Sequence, residues 1–205
     1  MSRKAQLRRE LLAARALLTS EDVRNAASVL AAAASGLAEL AGARTVAAYV
    51  SVGREPGTRA LLDALHARGV RVLLPVLMAD NDLDWAVFDG AEHLVPAGRG
   101  LREPDGARLG PHAVLEADAV LLPGLAVDGR GMRLGRGGGS YDRVLARLAE
   151  AGAHPALVVL LYDDEVVARV PEEPHDHPVD AVVTPAGTRR FPRGRGTGDA
   201  DPAGS

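Results

Sequence analysis

Leu7, Leu11, Ala14 and Leu18 recur three and four residues apart, the spacing of one helix face, and predict a first helix over 3–18. "TSED", Thr19 to Asp22, has capping-box spacing and opens a second helix of about twenty residues. "RTVAAYV" (44–50) reads as a strand. "TRALLDALHARG" (58–69) reads as a helix closed by Gly69, where a left-handed cap is common. "VRVLLP" (70–75) and "LDWAVFD" (83–89) are further strands, whereas residues 90–111 lack periodicity, are broken by glycine and proline, and read as loop. "ADAVLLPG" (117–124) is the short continuous apolar run of a strand covered on both faces.

A glycine-rich loop comes next. It leads into a helix starting near Ser140 that carries Tyr141, Val144, Leu145 and Leu148 on one face. "ALVVLL" (156–161) and "VDAVVT" (179–184) are the last strands. Strands alternating with helices predict a single α/β domain over 1–186, with a mainly parallel sheet flanked by helices in a Rossmann-like three-layer arrangement. Residues 187–205, polar and rich in glycine and proline, read as a disordered tail.

Composition narrows this picture. Of 205 residues 47% are hydrophobic but only 3% aromatic, so the core must be aliphatic. A net charge of −3 gives no basic surface for bulk nucleic-acid binding. The absence of cysteine excludes disulfides, thiolate catalysis and cysteine-type zinc sites. The charged N-terminus lacks a signal-type apolar core, and no apolar run reaches membrane-spanning length. These features predict a soluble, cytoplasmic protein with small-molecule partners.

"RLGRGGGSYD" (133–142) carries the candidate chemistry. Glycine lets backbone N–H groups approach an anion, and the helix that follows adds its N-terminal dipole. Arg133 and Arg136 add full charges. The alternative is a flexible connection, but a linker needs no flanking arginines. Neither G-x-x-x-x-G-K-[ST] nor G-x-G-x-x-G occurs anywhere in the chain. Lys4, Arg8 and Arg15 fall in a helical stripe roughly 40° wide. That stripe adjoins the apolar one, so it should border the helix–body contact, while Arg9 points to solvent. Taken alone, the stripe is better explained as an ordinary solvated face paired with Glu10 or other acids; the glycine loop shifts the balance, since both features suit phosphate.

Glu55, beyond the first strand's carboxyl end, could accept from ligand N–H groups or be a surface acid. Asp142 and Asp180, with phosphate oxygens and water, would suit Mg²⁺. Helix first-turn stabilisation and a strand-end cap are their ordinary explanations. "HDHP" (175–178) looks like a metal cluster but lacks further ligands at fixed spacing. Trp85, the single tryptophan, reads as core, with stacking on a flat ligand as the alternative.

Taken together, "DAVLLPGLAVDGRGMRLGRGGGSYDR" (118–143) resembles the signature of the 5-formyltetrahydrofolate cyclo-ligase family. "KAQLR" (4–8), "AYVSVGREPGT" (48–58), "VRVLLPVL" (70–77) and "HDHPVDAVVT" (175–184) extend the resemblance over about residues 3–186. It implies an ATP-dependent, Mg²⁺-assisted ring closure of 5-formyltetrahydrofolate to 5,10-methenyltetrahydrofolate, with ADP and phosphate released, by a monomer acting on small molecules. Carried over by resemblance, Lys4, Ala5, Gln6, Leu7 and Arg8 meet ATP, as do Arg133, Leu134, Gly135, Arg136, Gly137, Gly138, Gly139, Ser140 and Tyr141. Val50, Glu55 and the segment Arg136–Ser140 line the folate site. Arg133 and Arg136 are the catalytic positions, and Asp142 and Asp180 the magnesium positions.

Ser140 stands where the family usually has an aromatic, and Val127 where it has phenylalanine. Two alternatives stay open. One is a divergent phosphoryl-transfer or sugar-phosphate isomerase relative on the same scaffold. The other is an ATP- or folate-binding protein without turnover.

Overall fold

The structure is a computed structural model that describes residues 2–174 and 176–192. α1 (Arg3–Leu17) starts at Ser2, whose hydroxyl accepts from the Ala5 amide at 3.2 Å. α2 (Ser20–Ser35) starts on the capping box read from the sequence: the Asp22 amide donates to Thr19 Oγ1, and the Thr19 amide to Asp22 Oδ2. Gly36 ends it, and the predicted remainder of that helix is a separate short turn, α3 (Ala38–Ala41).

β1 (Thr45–Ala47) leads to α4 (Arg59–Ala67), which closes at Gly69 with φ 74°, as expected of a left-handed cap. β2 (Arg71–Leu77) and β3 (Leu83–Val87) form an antiparallel hairpin. The stretch read as loop holds a second hairpin, β4 (Leu94–Pro96) and β5 (Arg102–Pro104), whose strands are too short to show a period in sequence. β6 (Ala119–Leu122) follows.

Between β6 and the glycine loop the chain makes β7 (Ala126–Asp128) and β8 (Arg133–Leu134), which pair antiparallel. After them come α5 (Ser140–Glu150), β9 (Ala156–Leu160), β10 (Val166–Val167), β11 (Ala181–Thr184) and β12 (Gly187–Arg190).

The main sheet runs β12-β11-β9-β6-β1-β2-β3. Its five central strands are parallel, and β12 and β3 are antiparallel edges. β12 corrects the tail assignment, because residues 187–190 pair with β11 instead of being disordered. The signal was missing because β12 is an exposed edge with no buried face and therefore no apolar alternation. Residues 193–205 lie outside the described residues.

Two aliphatic layers close over the sheet. Leu30, Leu40, Leu61 and Leu65 of the α2–α4 side pack on Val46, Val72, Leu121 and Val158. Val144, Leu145 and Leu148 of α5 pack on the opposite face with Val120, Leu122 and Val159. At about 1.5–3 kcal/mol per fully buried large aliphatic side chain, this core needs few aromatics. Trp85 is fully buried in the second layer, in the core role read from the sequence.

α1 lies apart. Its Leu11 packs on the small sheet β10-β7-β8 with Leu125, Met132, Leu134 and Val170. Arg15, at its far end, is buried and reaches Glu165 with Nε at 2.6 Å and Nη2 at 2.9 Å. The same Nη2 donates to the Gly124 carbonyl at 2.7 Å. Arg15 is thus an anchor for α1 and not part of a phosphate-facing stripe.

The strand order reverses between β1 and β6: β1 continues through α4 to its neighbour β2, and β6 through α5 to its neighbour β9 on the other side. A crevice is therefore expected at the carboxyl ends of these two strands.

Candidate active site

A cleft of about 320 Å³ opens at that position. The chain leaving β1 supplies Tyr49, Val50 and Glu55, and the chain leaving β6 supplies Pro123. The glycine loop and the first turn of α5 form a wall from Gly135 to Asp142.

This loop must be glycine for local reasons. Gly137 has φ 95° and Gly139 φ 77°, conformations that L side chains rarely adopt. Gly139 is the N-cap of α5, and no side chain caps the helix. The first-turn amides and the positive dipole end are thereby presented where the loop meets the cleft. Arg8 braces the loop from outside, with its Nε donating to the Gly135 carbonyl at 2.8 Å.

Arg133 is the dominant charge. Its side chain is 4% exposed and lines the cleft. Nη1 donates to the Pro123 carbonyl at 2.7 Å, and Nη2 lies 3.5 Å from Asp142 Oδ1. Nε is buried without a partner among the described residues. Burial pushes the guanidinium below its ordinary pKa, opposed chiefly by Asp142, and arginine keeps its charge in proteins. A buried cation with so little compensation costs the fold several kcal/mol, roughly, unless an anion comes to it.

Arg136, half exposed, extends from the loop to Glu55, with Nη1 to Oε1 at 2.8 Å. The other carboxylate oxygen of Glu55 accepts from the Val52 amide at 2.8 Å. One ion pair thus joins the glycine loop to the chain after β1 across the crevice. Tyr141 carries a buried hydroxyl without a partner among the described residues, and burial, reinforced by Glu55, drives its pKa up, so it remains a phenol.

The structure therefore brings together Val50, Glu55, Arg133 and Gly135 to Asp142 in one cleft. It arranges other candidates differently. Leu134 is buried in the small core with Leu11, so its side chain faces away from any ligand. Lys4 to Arg8 are not among the residues that line the cleft. Lys4 Nζ is held by Glu173 at 2.9 Å and Asp176 at 2.7 Å, and Gln6, exposed, bonds Glu10. Ala5 and Leu7 sit on the same turns, Leu7 packing on the small core.

Asp142 and Asp180 do not meet. Asp142 is half exposed at the amino end of α5 and lines the main cleft. Asp180 precedes β11 at the amino end of the parallel sheet, where its Oδ2 accepts from the Leu157 amide at 2.8 Å, the strand-end cap that was its ordinary explanation. It lines a different cleft with His154 and His177. The paired-carboxylate magnesium site is corrected on that ground. Of the "HDHP" run, Asp176 binds Lys4, and His175 lies outside the described residues.

Sequence reasoning missed Asp128. Fully buried, it accepts from the amides of Arg130, Met132 and Val170 and from the Arg130 guanidinium. It ties the β7–β8 turn to the chain after β10, and so shapes the strand that ends in Arg133. Its place in the quoted "AVDGRG" run, just before a turn, was the available signal. Arg99 and Arg102, on the β4–β5 hairpin, also line the cleft and were hidden in the apparent loop.

Comparison with known proteins adds to this geometry. Residues 1–185 match the model of the 5-formyltetrahydrofolate cyclo-ligase family. A 5-formyltetrahydrofolate cyclo-ligase of Mycolicibacterium smegmatis is 44% identical over 189 residues, covering 89% of this chain and 93% of that protein. The Escherichia coli protein of the same name is 35% identical over 149 residues, 70% of this chain and 79% of its own. The solved structure of Aquifex aeolicus 5,10-methenyltetrahydrofolate synthetase superposes with a TM-score of 0.78 at 28% identity, covering 94% of both chains. A Mycoplasma pneumoniae 5,10-methenyltetrahydrofolate synthetase shares the fold, with a TM-score of 0.70 at 18% identity over 90% of this chain and 99% of its own. The chain, matched nearly end to end, belongs to the 5-formyltetrahydrofolate cyclo-ligase family.

Proposed function

We propose that this protein uses ATP to convert 5-formyltetrahydrofolate to 5,10-methenyltetrahydrofolate, releasing ADP and phosphate. Family membership supports the reaction. The observation that carries it to this cleft is Arg133, a buried and under-compensated cation beside an uncapped helix N-terminus. That combination awaits a phosphate group.

The formyl oxygen is amide-like and a poor leaving group. The γ-phosphoryl group moves onto it, breaking the bond to ADP and forming a new P–O bond. N10 attacks the activated carbon and loses its proton, and phosphate departs with the C–O electron pair. The chain supplies alignment and charge neutralisation, not a nucleophile. In this reading Arg133, Arg136 and the loop from Gly135 to Tyr141 hold phosphate oxygens, and Arg8 acts through the loop it braces. Lys4 reaches the nucleotide by exchanging Glu173 and Asp176 for phosphate. Glu55, with Val50, takes the folate N–H groups once Arg136 turns to phosphate.

Mg²⁺ fits Asp142, because this ion commonly takes one or two carboxylates and completes its shell with phosphate and water. When bound it neutralises phosphate charge. Asp180 has no part in that shell.

In this reading the protein works on these small molecules as a soluble cytoplasmic monomer; among the described residues no helix is long and apolar enough to cross a membrane. The test is direct. Purified protein with ATP, Mg²⁺ and 5-formyltetrahydrofolate should yield the near-UV-absorbing methenyl product and ADP in equal amounts. Nucleotide binding without product would support the binding-only alternative, and turnover of a sugar phosphate the isomerase one.

A further inference from the structure

Among the described residues, two that are not glycine have left-handed backbone: Asn81 with φ 66° and Arg99 with φ 62°. Asparagine adopts that conformation readily, but arginine does so at a cost. Both line the cleft, and they touch each other, with Arg99 Nη1 donating to Asn81 Oδ1 at 3.2 Å. Strain held at a cleft rim points towards function.

The surroundings hold this pair in place. The 80–82 turn is fixed to α5 by Arg147 on Asp82 at 2.6 Å and by Arg143 near Asp80 at 3.5 Å. Arg102 enters the cleft beside Arg99. Its Nη2 donates to the Leu94 carbonyl at 2.6 Å, and its Nε is buried without a partner among the described residues. The neighbouring acid, Glu103, accepts from the Leu77 amide at 2.9 Å. Two arginines thus gather on the β4–β5 hairpin, which docks at the end of β2.

The phosphate-directed cation, Arg133, is bonded instead to the chain leaving β6. β1 lies between β6 and β2, so the two cationic clusters are rooted two strand spacings apart, roughly 10 Å. One cleft therefore offers two separated cationic positions. The proposed reaction brings two substrates, each with its own anionic group: the triphosphate of ATP and the glutamate carboxylates at the end of folate away from the pteridine.

We infer that Arg99, seconded by Arg102, is the specificity rim that takes the glutamate carboxylates of the folate substrate. This rests on the folate reading above. The reacting end of folate lies by Glu55 and the glycine loop, and the chain of the substrate runs along the apolar floor at Leu77 and Leu83 to the hairpin. Arg99 and Arg102 both line the cleft on the hairpin side, where that end would lie.

The experiment measures calorimetric binding of 5-formyltetrahydrofolate and of its analogue lacking the glutamate, alongside ATP kinetics, in wild type, Arg99→Gly and Arg99→Lys. Arg99→Gly relieves the left-handed strain, so the melting temperature should hold or rise. Affinity for the glutamyl substrate should fall about tenfold, the scale of a partly exposed charge-assisted hydrogen bond. The analogue should bind wild type and variant alike, the KM for ATP should not move, and Arg99→Lys should recover part of the loss. Equal loss for both folates, or a raised KM for ATP instead, would overturn the inference. A wild type that binds both folates with the expected difference but makes no methenyl product would refute the proposed reaction and leave the rim intact.

Discussion

Gly137 is the position where the glycine loop can be tested with one methyl group. Its φ of 95° lies beyond the left-handed region that other residues tolerate, so alanine there costs about 1–2 kcal/mol. The added Cβ would also stand 3.3 Å from Arg8 Cζ, tighter than ordinary contact. If Arg8 swings away, its bond to the Gly135 carbonyl is lost, adding about 1 kcal/mol after water replaces it. The total is roughly 2–3 kcal/mol.

It can appear in either of two ways. The loop keeps its shape and the protein loses stability, or the loop relaxes and its amides leave the positions proposed to face phosphate. In the second case ATP use falls by roughly 30- to 150-fold, the same free energy expressed as a ratio. Gly138 is the matched comparison: its φ is not positive, and an added Cβ meets nothing within 4 Å. Urea denaturation and the KM for ATP, measured together for Gly137→Ala and Gly138→Ala, separate the outcomes. Gly137→Ala should lose stability or ATP affinity well beyond Gly138→Ala, whose stability should stay within about 0.5 kcal/mol of wild type. Equal behaviour of the two variants would refute the claim that the loop's backbone shape holds phosphate.

Three further predictions concern the supports of the site. Arg15→Met or Glu165→Gln, each leaving one member of a buried ion pair alone, should cost about 3–5 kcal/mol by urea denaturation, and joint replacement of both by apolar residues should recover part of it. Asp142→Asn should raise the Mg²⁺ concentration needed for half-maximal activity, whereas Asp180→Asn should lower the melting temperature without moving that midpoint. Burial alone would raise the Asp128 carboxyl, but bonds from Arg130 and the Val170, Arg130 and Met132 amides outweigh it and hold its pKa below the usual carboxylate range. A depressed carboxylate stabilises the fold above its unfolded pKa of about 4, and that stability is lost as pH falls through the lower folded value. The urea midpoint should therefore drop on acidification below about pH 4, and Asp128→Asn should flatten the drop.

The legible parts of this chain are those where one local rule acts alone. The Thr19 capping box, the Gly69 cap and the α5 stripe of Val144, Leu145 and Leu148 each follow from spacing within a few residues, and each is present. Buried strands such as β6 show as apolar runs because both faces are covered. The β4–β5 hairpin and β12 were invisible for the opposite reason. Three- and four-residue strands at an edge bury no consistent face, so no period builds up, and their pairing is decided by residues far away in sequence.

The site divides along the same line. Local chemistry singled out Arg133 and the glycines, and these residues do line one cleft, because a glycine run flanked by arginines is written into consecutive residues. What no local rule could supply was which charges are already spent. Lys4, Arg8 and Arg15 form one stripe in sequence, yet Lys4 meets two acids, Arg8 braces a carbonyl and Arg15 is sealed against Glu165. Asp142 and Asp180 look equivalent as sequence, but α5 and the length of the sheet stand between them. The structure shows which partners these charges have already taken, and it leaves Arg133 buried with Nε unpartnered among the described residues, which is why the proposed phosphate site is centred there.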